Sequence, residues 1–433
     1  MTAVAPPPVH TGIPGRETVI WAQGLHKHYG SLAAVRGIDL EVKRGEIFGL
    51  IGPDGAGKTT TFQILAGVME ASGGEVRVLG DIPRQARQQV GYLTQQFSLY
   101  LDLSIDENIR YTGGLRRIPA ADLEQRREQY LTLMGLDRFG ERLAGQLSGG
   151  MKQKLALCCA LVAQPQVLLL DEPTTGVDPV SRREFWDLLA TVAREGITIV
   201  VATPYLDEAE RCHRIALMYE GSLQQTGTLA QLRAELGLER LELRTPDLAG
   251  AEQVLQQALQ EGSRRIADLQ SFGDRLDILV KAARQDEALV RSLLAQAGIP
   301  VQGLVRAEPT LENVFVSRLR QQGSQGGAAQ PAIPSYRPFP HTRARQAQGS
   351  SQPEGSAITA TGLTKVFGSF TAVRDIHLAI PYGEIYGLLG ANGAGKTTVI
   401  KMLCGLVPAT SGEMVLGGER SNLRSAALRR RIG

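Results

Sequence analysis

Gly52-Pro53-Asp54-Gly55-Ala56-Gly57-Lys58-Thr59-Thr60 decides how this chain of 433 residues is read. It fits GxxxxGK[ST], and its flanks fit as well: Ile47 to Ile51 is a short apolar run of strand type, and Thr59 to Ala66 reads as a helix. In that strand–loop–helix setting, glycines let backbone N–H groups turn inward around phosphate oxygens. The following helix adds the partial positive charge of its N-terminus. Lys58 would reach the β- and γ-phosphates, and the Thr59 hydroxyl would coordinate Mg²⁺. At average composition the pattern arises by chance about 0.02 times in a chain this long. The stretch predicts an α/β protein that binds ATP or GTP.

The stretch occurs twice. Gly390-Ala391-Asn392-Gly393-Ala394-Gly395-Lys396-Thr397-Thr398 follows at an offset of 338 residues, with Thr397 as a second candidate metal ligand. The same offset, without gaps, aligns Gly24-Leu25 with Gly362-Leu363, Ala34-Val35-Arg36 with Ala372-Val373-Arg374, and Gly45-Glu46-Ile47 with Gly383-Glu384-Ile385. Just under half the positions from Thr18 to Gly80 are identical to their counterparts. A period this long excludes a solenoid and indicates two tandem copies of one domain.

Working outward, 433 residues suggest about three domains. With 43% hydrophobic and 21% charged residues the composition is globular. A net charge of +3, from 47 basic and 44 acidic side chains, gives no strong drive toward nucleic acid. Only nine of the 47 basic residues are lysines, and two of those sit in the phosphate loops. Cys158, Cys159, Cys212 and Cys404 have no CxxC spacing and read as reduced thiols of a cytosolic protein. No run of about 18 apolar residues is present, so no helix is expected to span a bilayer. Met1 to Gly15, rich in Pro and Ala and without an apolar core, reads as a disordered leader.

Between the copies, Thr228 to Leu319 alternates in pattern. Glu239 to Arg244 and Leu276 to Val280 read as strands, Leu248 to Leu259 and Asp286 to Ala297 as helices, giving a small α/β accessory domain. Gln321 to Ser356 is rich in Gly, Gln, Ser and Pro and reads as a flexible linker. Its r.m.s. reach is roughly 30–36 Å.

Further along the first copy, Val167-Leu168-Leu169-Leu170-Asp171-Glu172 is an apolar strand ending in two carboxylates. Asp171 is suited to the Mg²⁺ shell and Glu172 to polarising an attacking water as general base. Leu147-Ser148-Gly149-Gly150-Met151-Lys152-Gln153 opens a helix-like segment, where Ser148, Gly149 and Gly150 could offer a hydroxyl and N–H groups to a phosphate.

The order of Gly-rich loop, LSGGMKQ and LLLLDEP resembles the ATP-binding cassette (ABC) ATPases, whose signature is LSGG. The resemblance covers Thr18 to about Gly227. It implies a P-loop NTPase cassette with an α-helical signature subdomain, taking ATP and Mg²⁺. It implies that Tyr29 stacks on adenine, as Phe367 would in the second copy. Gln95, in Gly91-Tyr92-Leu93-Thr94-Gln95, would be the Q-loop glutamine that touches Mg²⁺ and senses a membrane subunit, and Thr175-Gly176-Val177-Asp178 the D-loop. One motif departs. In Thr203-Pro204-Tyr205-Leu206-Asp207-Glu208-Ala209, Pro204 stands where the family has its switch histidine. Proline has no side-chain donor for a γ-phosphate, and His213 reads as a surface histidine. The first site is expected to bind ATP and hydrolyse it poorly.

The family also implies that two cassettes pair head to tail, each ATP lying between one loop and the other LSGG. Lys396 would meet Ser148 and Gly150, making the second site the hydrolytic one. The second copy, however, reaches Arg429-Arg430-Arg431-Ile432-Gly433 before any Q-loop, signature or Asp-Glu pair, so it reads as part of a cassette. The expected organisation is a leader (1–17), a nucleotide-binding domain (18–227), an accessory domain (228–320), a linker (321–356) and the N-terminal part of a second nucleotide-binding domain (357–433).

The Gly-Val-Asp-Pro D-loop, the Asp-Glu-Ala-Glu after the switch position, and Glu308-Pro309-Thr310-Leu311-Glu312-Asn313-Val314-Phe315 look like drug-efflux ATPase subunits. The implied partners are integral-membrane permease subunits, with the chain on the cytoplasmic face of the membrane. The alternatives are a soluble tandem ABC ATPase acting on ribosomes and a nonfunctional remnant. The first of these carries a long charged helical linker, unlike this Gly/Pro-rich one.

Overall fold

This computed structural model describes residues 17–96, 98–260, 265–325, 355–382, 384–391 and 393–417. The expected leader as far as Arg16, most of the expected linker, Gly383, Asn392 and the segment ending Arg429 to Gly433 lie outside the described residues. The chain divides into two compact units, one carrying the first phosphate loop and the accessory segment, the other the second loop.

In the first copy, β1 (Thr18–Tyr29) and β2 (Leu32–Lys43) form an antiparallel hairpin, and β3 (Ile47–Ile51) runs into the phosphate loop and helix α1 (Lys58–Leu65). Then come β4 (Gly73–Val78), the single turn α2 (Pro83–Ala86) and β5 (Val90–Leu93). Helices α3 (Ile105–Leu115), α4 (Ala120–Met134) and α5 (Gly149–Leu161) precede β6 (Val167–Asp171), α6 (Pro179–Arg194) and β7 (Thr198–Thr203). The short α7 (Leu206–Ala209), then β8 (Arg214–Tyr219), β9 (Ser222–Gly227) and α8 (Leu229–Leu236), close the cassette.

Two sheets result. One is a three-stranded antiparallel sheet, β2-β1-β4; the other has six strands, β5-β6-β7-β3-β8-β9. In the larger sheet all pairings are parallel except β8 with β9. Strand β3 lies between β7 and β8, and all five of its residues are buried. That explains a wholly apolar strand: both faces are covered. Alternate residues serve different cores. Ile47, Ile51, Leu168, Leu170, Ile199 and Val201 pack on the helices, whereas Phe48, Leu50, Val167, Leu169 and Val200 pack against the antiparallel sheet.

The start of α3 is fixed by a reciprocal cap. Ser104 Oγ accepts the Glu107 N–H at 3.1 Å and the Glu107 carboxylate accepts the Ser104 N–H at 2.7 Å. Helix α4 ends at Gly135, in the left-handed conformation that suits glycine.

The accessory segment contains β10 (Glu239–Arg244), α9 (Leu248–Gln260), β11 (Ile266–Phe272), β12 (Arg275–Val280), α10 (Ala283–Gln296) and β13 (Gly303–Ala307), followed by α11 (Leu311–Gln325). The strand order β11-β12-β10-β13, antiparallel throughout, is the βαββαβ ferredoxin-like arrangement. Leu241, Leu243, Leu269, Ile278 and Val280 meet Leu255, Val290 and Leu294 of the helices in one core. The opposite face is polar and lies under α11: Asn313 Nδ2 donates to Gln270 Oε1 at 2.9 Å and to Asp277 at 3.2 Å, and Ser317 donates to Asp268 at 2.9 Å. Strands β11 and β13 were not legible in the sequence. Asp268 and Gln270 are buried but polar, so β11 lacks an apolar alternation, and β13 exposes Val305. Helix α11 also runs to Gln325, into the stretch expected as linker; Arg320, Gln321 and Gln322 are good helix formers.

In the second unit, β14 (Ser356–Phe367), β15 (Phe370–Pro381) and β16 (Ser411–Leu416) form a sheet in the order β15-β14-β16, with α12 (Lys396–Leu403) after the loop. This repeats β2-β1-β4 and α1. The counterpart of β3 differs. Residues 385–389 form no strand, and Ile385 and Leu389 are 99% and 90% exposed. The corresponding apolar run, Ile47 to Ile51, is buried because β7 and β8 flank it.

Candidate functional site

The parallel register gathers the first site. Ile51 pairs with Thr203 and Asp171 with Ala202, so β3, β6 and β7 end together. Ligands of open α/β sheets bind at the carboxyl ends of such strands. The phosphate loop, Asp171-Glu172 and Thr203-Pro204 therefore share one edge, and Gly52 N–H donates to the Thr203 carbonyl at 3.2 Å.

The loop is held tightly from below. Gly57 has φ of 101°, and a Cβ there would lie 2.4 Å from the Ala34 carbonyl oxygen, so glycine is required. Ala56 O accepts the Gly221 N–H from the β8–β9 turn at 2.9 Å. Lys58 Nζ donates to the Gly52 and Pro53 carbonyls at 2.8 and 2.9 Å and lies 3.6 Å from Glu172 Oε1. Gly55 is exposed, and Thr59 and Thr60 open α1 at the loop's end.

Glu172 has φ of +49°, a conformation uncommon for a side-chain-bearing residue and frequent at functional sites. Its Oε2 accepts from Gln95 Nε2 at 2.9 Å and from the Thr175 hydroxyl at 3.2 Å. The structure thus brings together Lys58, Glu172 and Gln95. It adds Thr175, which sequence reading left without a part in the chemistry.

Asp171 is 1% exposed, and neither carboxylate oxygen has a hydrogen-bond partner among the described residues. Burial pushes its carboxyl above the ordinary range, while the Thr59 hydroxyl and the Lys58 ammonium pull the other way. Two orphaned carboxylate oxygens beside a threonine hydroxyl are hard donors that fit a small divalent cation. Tyr92 is a second residue that sequence reading missed. Burial and the neighbouring Asp171 carboxylate push its phenol up, and its hydroxyl is buried without a partner among the described residues. Tyr92 also lines a cavity of about 130 Å³ with Thr94, Leu99, Thr112, Gln153 and Cys159, between the Q-loop, α3 and α5.

Pro204 follows Thr203, whose carbonyl touches the loop, so it stands at the cradle with no donor. His213 is exposed and accepts the Ile47 N–H through Nδ1 at 2.9 Å, at the far end of β3 from the phosphates. Tyr29 is 44% exposed beside the Lys27 ammonium, 5.5 Å from its ring centre. Ser148 precedes α5, and Gly149 and Gly150 open it. A Cβ on Gly150 would lie 2.7 Å from Ser181 Cβ, which explains the glycine.

The second loop repeats this geometry. Lys396 Nζ donates to the Gly390 and Ala391 carbonyls, both at 2.7 Å, and Gly395 has φ of 85°. Gly393, Ala394 and Gly395 lead into α12, which Lys396, Thr397 and Thr398 begin. Phe367 is 49% exposed with the Lys365 ammonium 5.0 Å from its ring centre, as at Tyr29.

Comparison with known proteins adds to this geometry. The family model described as ABC transporter matches residues 35–175 and 373–433. The probable multidrug ABC transporter ATP-binding protein YbhF of Escherichia coli (strain K12) is 38% identical over 423 residues, 96% of this chain and 70% of that protein. The daunorubicin resistance ATP-binding protein DrrA3 of Streptomyces coeruleorubidus is 35% identical over 312 residues, 69% of this chain and 95% of that protein. A solved ATP-binding subunit of an ABC transporter, 29% identical, aligns over 51% of this chain and 94% of its own with a TM-score of 0.47.

Proposed function

Since the chain belongs to the ABC transporter ATP-binding proteins, we propose that it is the ATP-hydrolysing subunit that energises export of drugs or other small molecules through a separate integral-membrane permease. The observation that carries the chemistry is the shared edge at which Lys58, Gln95, Asp171 and Glu172 converge. The names of the relatives, a multidrug transporter protein and a daunorubicin resistance protein, support export and the drug class.

In this reading ATP enters the loop Gly52 to Thr60, with Tyr29 against adenine. Lys58 exchanges Glu172 for the β- and γ-phosphates while its bonds to the Gly52 and Pro53 carbonyls keep it in the loop. Asp171, Thr59 and Gln95 would hold Mg²⁺, which when bound neutralises charge on the phosphates. Glu172, kept in place by Gln95 and Thr175, polarises the attacking water. Pro204 provides no donor to the γ-phosphate, so the first site holds ATP and turns it over slowly. Ser148, Gly149 and Gly150 serve the nucleotide of a second cassette, and the second copy (Phe367, Gly390, Ala391, Asn392, Gly393, Ala394, Gly395, Lys396, Thr397, Thr398) begins another nucleotide-binding domain. The cavity beside the Q-loop, from Tyr92 toward Asn108, is the side we assign to the permease.

No helix among the described residues is long and apolar enough to cross a membrane, so attachment to the cytoplasmic face would come from that permease. Affinity purification from detergent extracts tests the reading: an integral-membrane permease should co-purify. Co-sedimentation with ribosomes in its place would overturn it in favour of the translation-factor alternative.

A further inference from the structure

The two phosphate loops differ at only two of nine positions, and one difference is a charge: Asp54 stands where the second loop has Asn392. Asp54 is exposed, and no hydrogen bond or ion pair holds its carboxylate among the described residues. Its place is defined by Lys58. The ammonium donates to the Pro53 carbonyl at 2.9 Å, and that carbonyl belongs to the peptide whose nitrogen is Asp54. The cation that takes the terminal phosphates is therefore one peptide unit from Asp54. Among the described residues no arginine or lysine is paired with Asp54 to neutralise it.

We propose that Asp54 sets the nucleotide preference of the first site, its carboxylate standing beside the position of the terminal phosphate and lowering affinity for ATP relative to ADP. The inference rests on the reading of this loop as nucleotide-binding. ATP carries more negative charge than ADP, and the addition is the γ-phosphate, which Lys58 reaches. A carboxylate next to it repels the triphosphate more than the diphosphate. Asparagine at the same position removes that repulsion and can donate an N–H. Between exposed groups the effect is modest, about three- to fivefold in affinity, and salt screens it. Pro204 removes a donor from the same phosphate, so two separate residues disfavour the terminal phosphate at this one site.

The experiment uses the full chain carrying Lys396→Ala, which silences the second loop. AMPPNP and ADP, each with Mg²⁺, are titrated calorimetrically at low and high salt. Asp54→Asn should tighten AMPPNP binding about three- to fivefold at low salt and ADP by less than twofold. The gain should shrink at high salt, and Asp54→Glu should keep the parental ratio. Equal tightening of both nucleotides, no tightening, or a gain that persists at high salt overturns the inference. A parent chain that binds neither nucleotide, with Lys58→Ala identical to it, overturns the nucleotide reading of the loop and this inference with it.

Discussion

The Lys58 ammonium lies 3.6 Å from the Glu172 carboxylate, with the two side chains 3% and 8% exposed. A buried charge without a partner is costly, so each side chain of this pair supports the placement of the other. Gln95 and Thr175 grip the other carboxylate oxygen, so the placement of Glu172 does not depend on Lys58 alone.

The first prediction comes from that pair. Lys58→Ala removes charge-assisted bonds to phosphate, each worth about 1.5–3 kcal/mol, and should weaken ATP binding at the first loop at least about tenfold. Glu172→Gln leaves Lys58 without a competing carboxylate and should bind ATP at least as tightly as the parent. Titration in the Lys396→Ala background reads both. Parental affinity in Lys58→Ala would refute the assignment.

Pro204 gives the second. The Thr203 carbonyl accepts the Gly52 N–H at 3.2 Å, so the next side chain has the reach of the cradle. Pro204→His supplies the missing donor. In an assembly with a second complete cassette, turnover at the first site should rise, by up to about 10²-fold if the donor acts as a transition-state stabiliser. An unchanged rate would sink the claim that Pro204 limits hydrolysis.

These residues show what was legible in sequence and what was not. β3, β6 and β7 announced themselves because strands covered on both faces are unbroken apolar runs, and the loop between β3 and α1 has the GxxxxGK[ST] spacing of a phosphate-binding loop. Tyr92 and Thr175 did not. Tyr92 comes near Asp171 through the pairing of β5 with β6, which sequence separation does not reveal; Thr175 lies three residues after Glu172, but only the turn aims its hydroxyl back at the carboxylate. β11 stayed hidden for a different reason: its buried Gln270 and Asp268 are satisfied by α11, 43 and 49 residues away, so the alternation that marks a strand is absent. Residues 385–389 show the converse, since an apolar strand sequence becomes a strand only where β7 and β8 lie beside it.

Asp178 makes a pH prediction. Its carboxylate accepts the N–H groups of Val180 and Ser181 at 3.2 and 3.1 Å, capping α6 just ahead of Pro179. Burial pulls its pKa up, but the bonds from Ser181 and Val180 outweigh that, and the carboxyl sits below its ordinary value. A depressed acid stabilises the fold above its unfolded pKa, about 3.9, and loses that contribution as pH falls through the folded value. Asp178→Ala should therefore cost about 1 kcal/mol at pH 7, with the gap to the parent closing below about pH 4. Denaturant titrations across pH read the gap, and one that widens on acidification would contradict the capping role.

The polar seam of the accessory domain gives the last prediction. Asp277 is fully buried and accepts from Arg240 at 2.9 Å and from Asn313 at 3.2 Å. Arg240 is itself 8% exposed, and its Nε has no partner among the described residues, so Asp277 is its main counter-charge. Asp277→Ala leaves that guanidinium buried with only Glu242, 3.8 Å away, to balance it, and should cost about 3–5 kcal/mol. Asp277→Asn keeps the shape and one acceptor and should cost less. Leu311 and Val314 of α11 belong to the cassette core, and Tyr219 meets Phe315 with ring centres 6.4 Å apart. The helix should thus stay on the cassette while β10 and β12 loosen beneath it. Hydrogen exchange reads this directly: amides of β10 and β12 should lose protection in Asp277→Ala, with those of β3 and β7 unchanged. Uniform loss across both sets would mean that the seam supports the whole unit and would refute the separation.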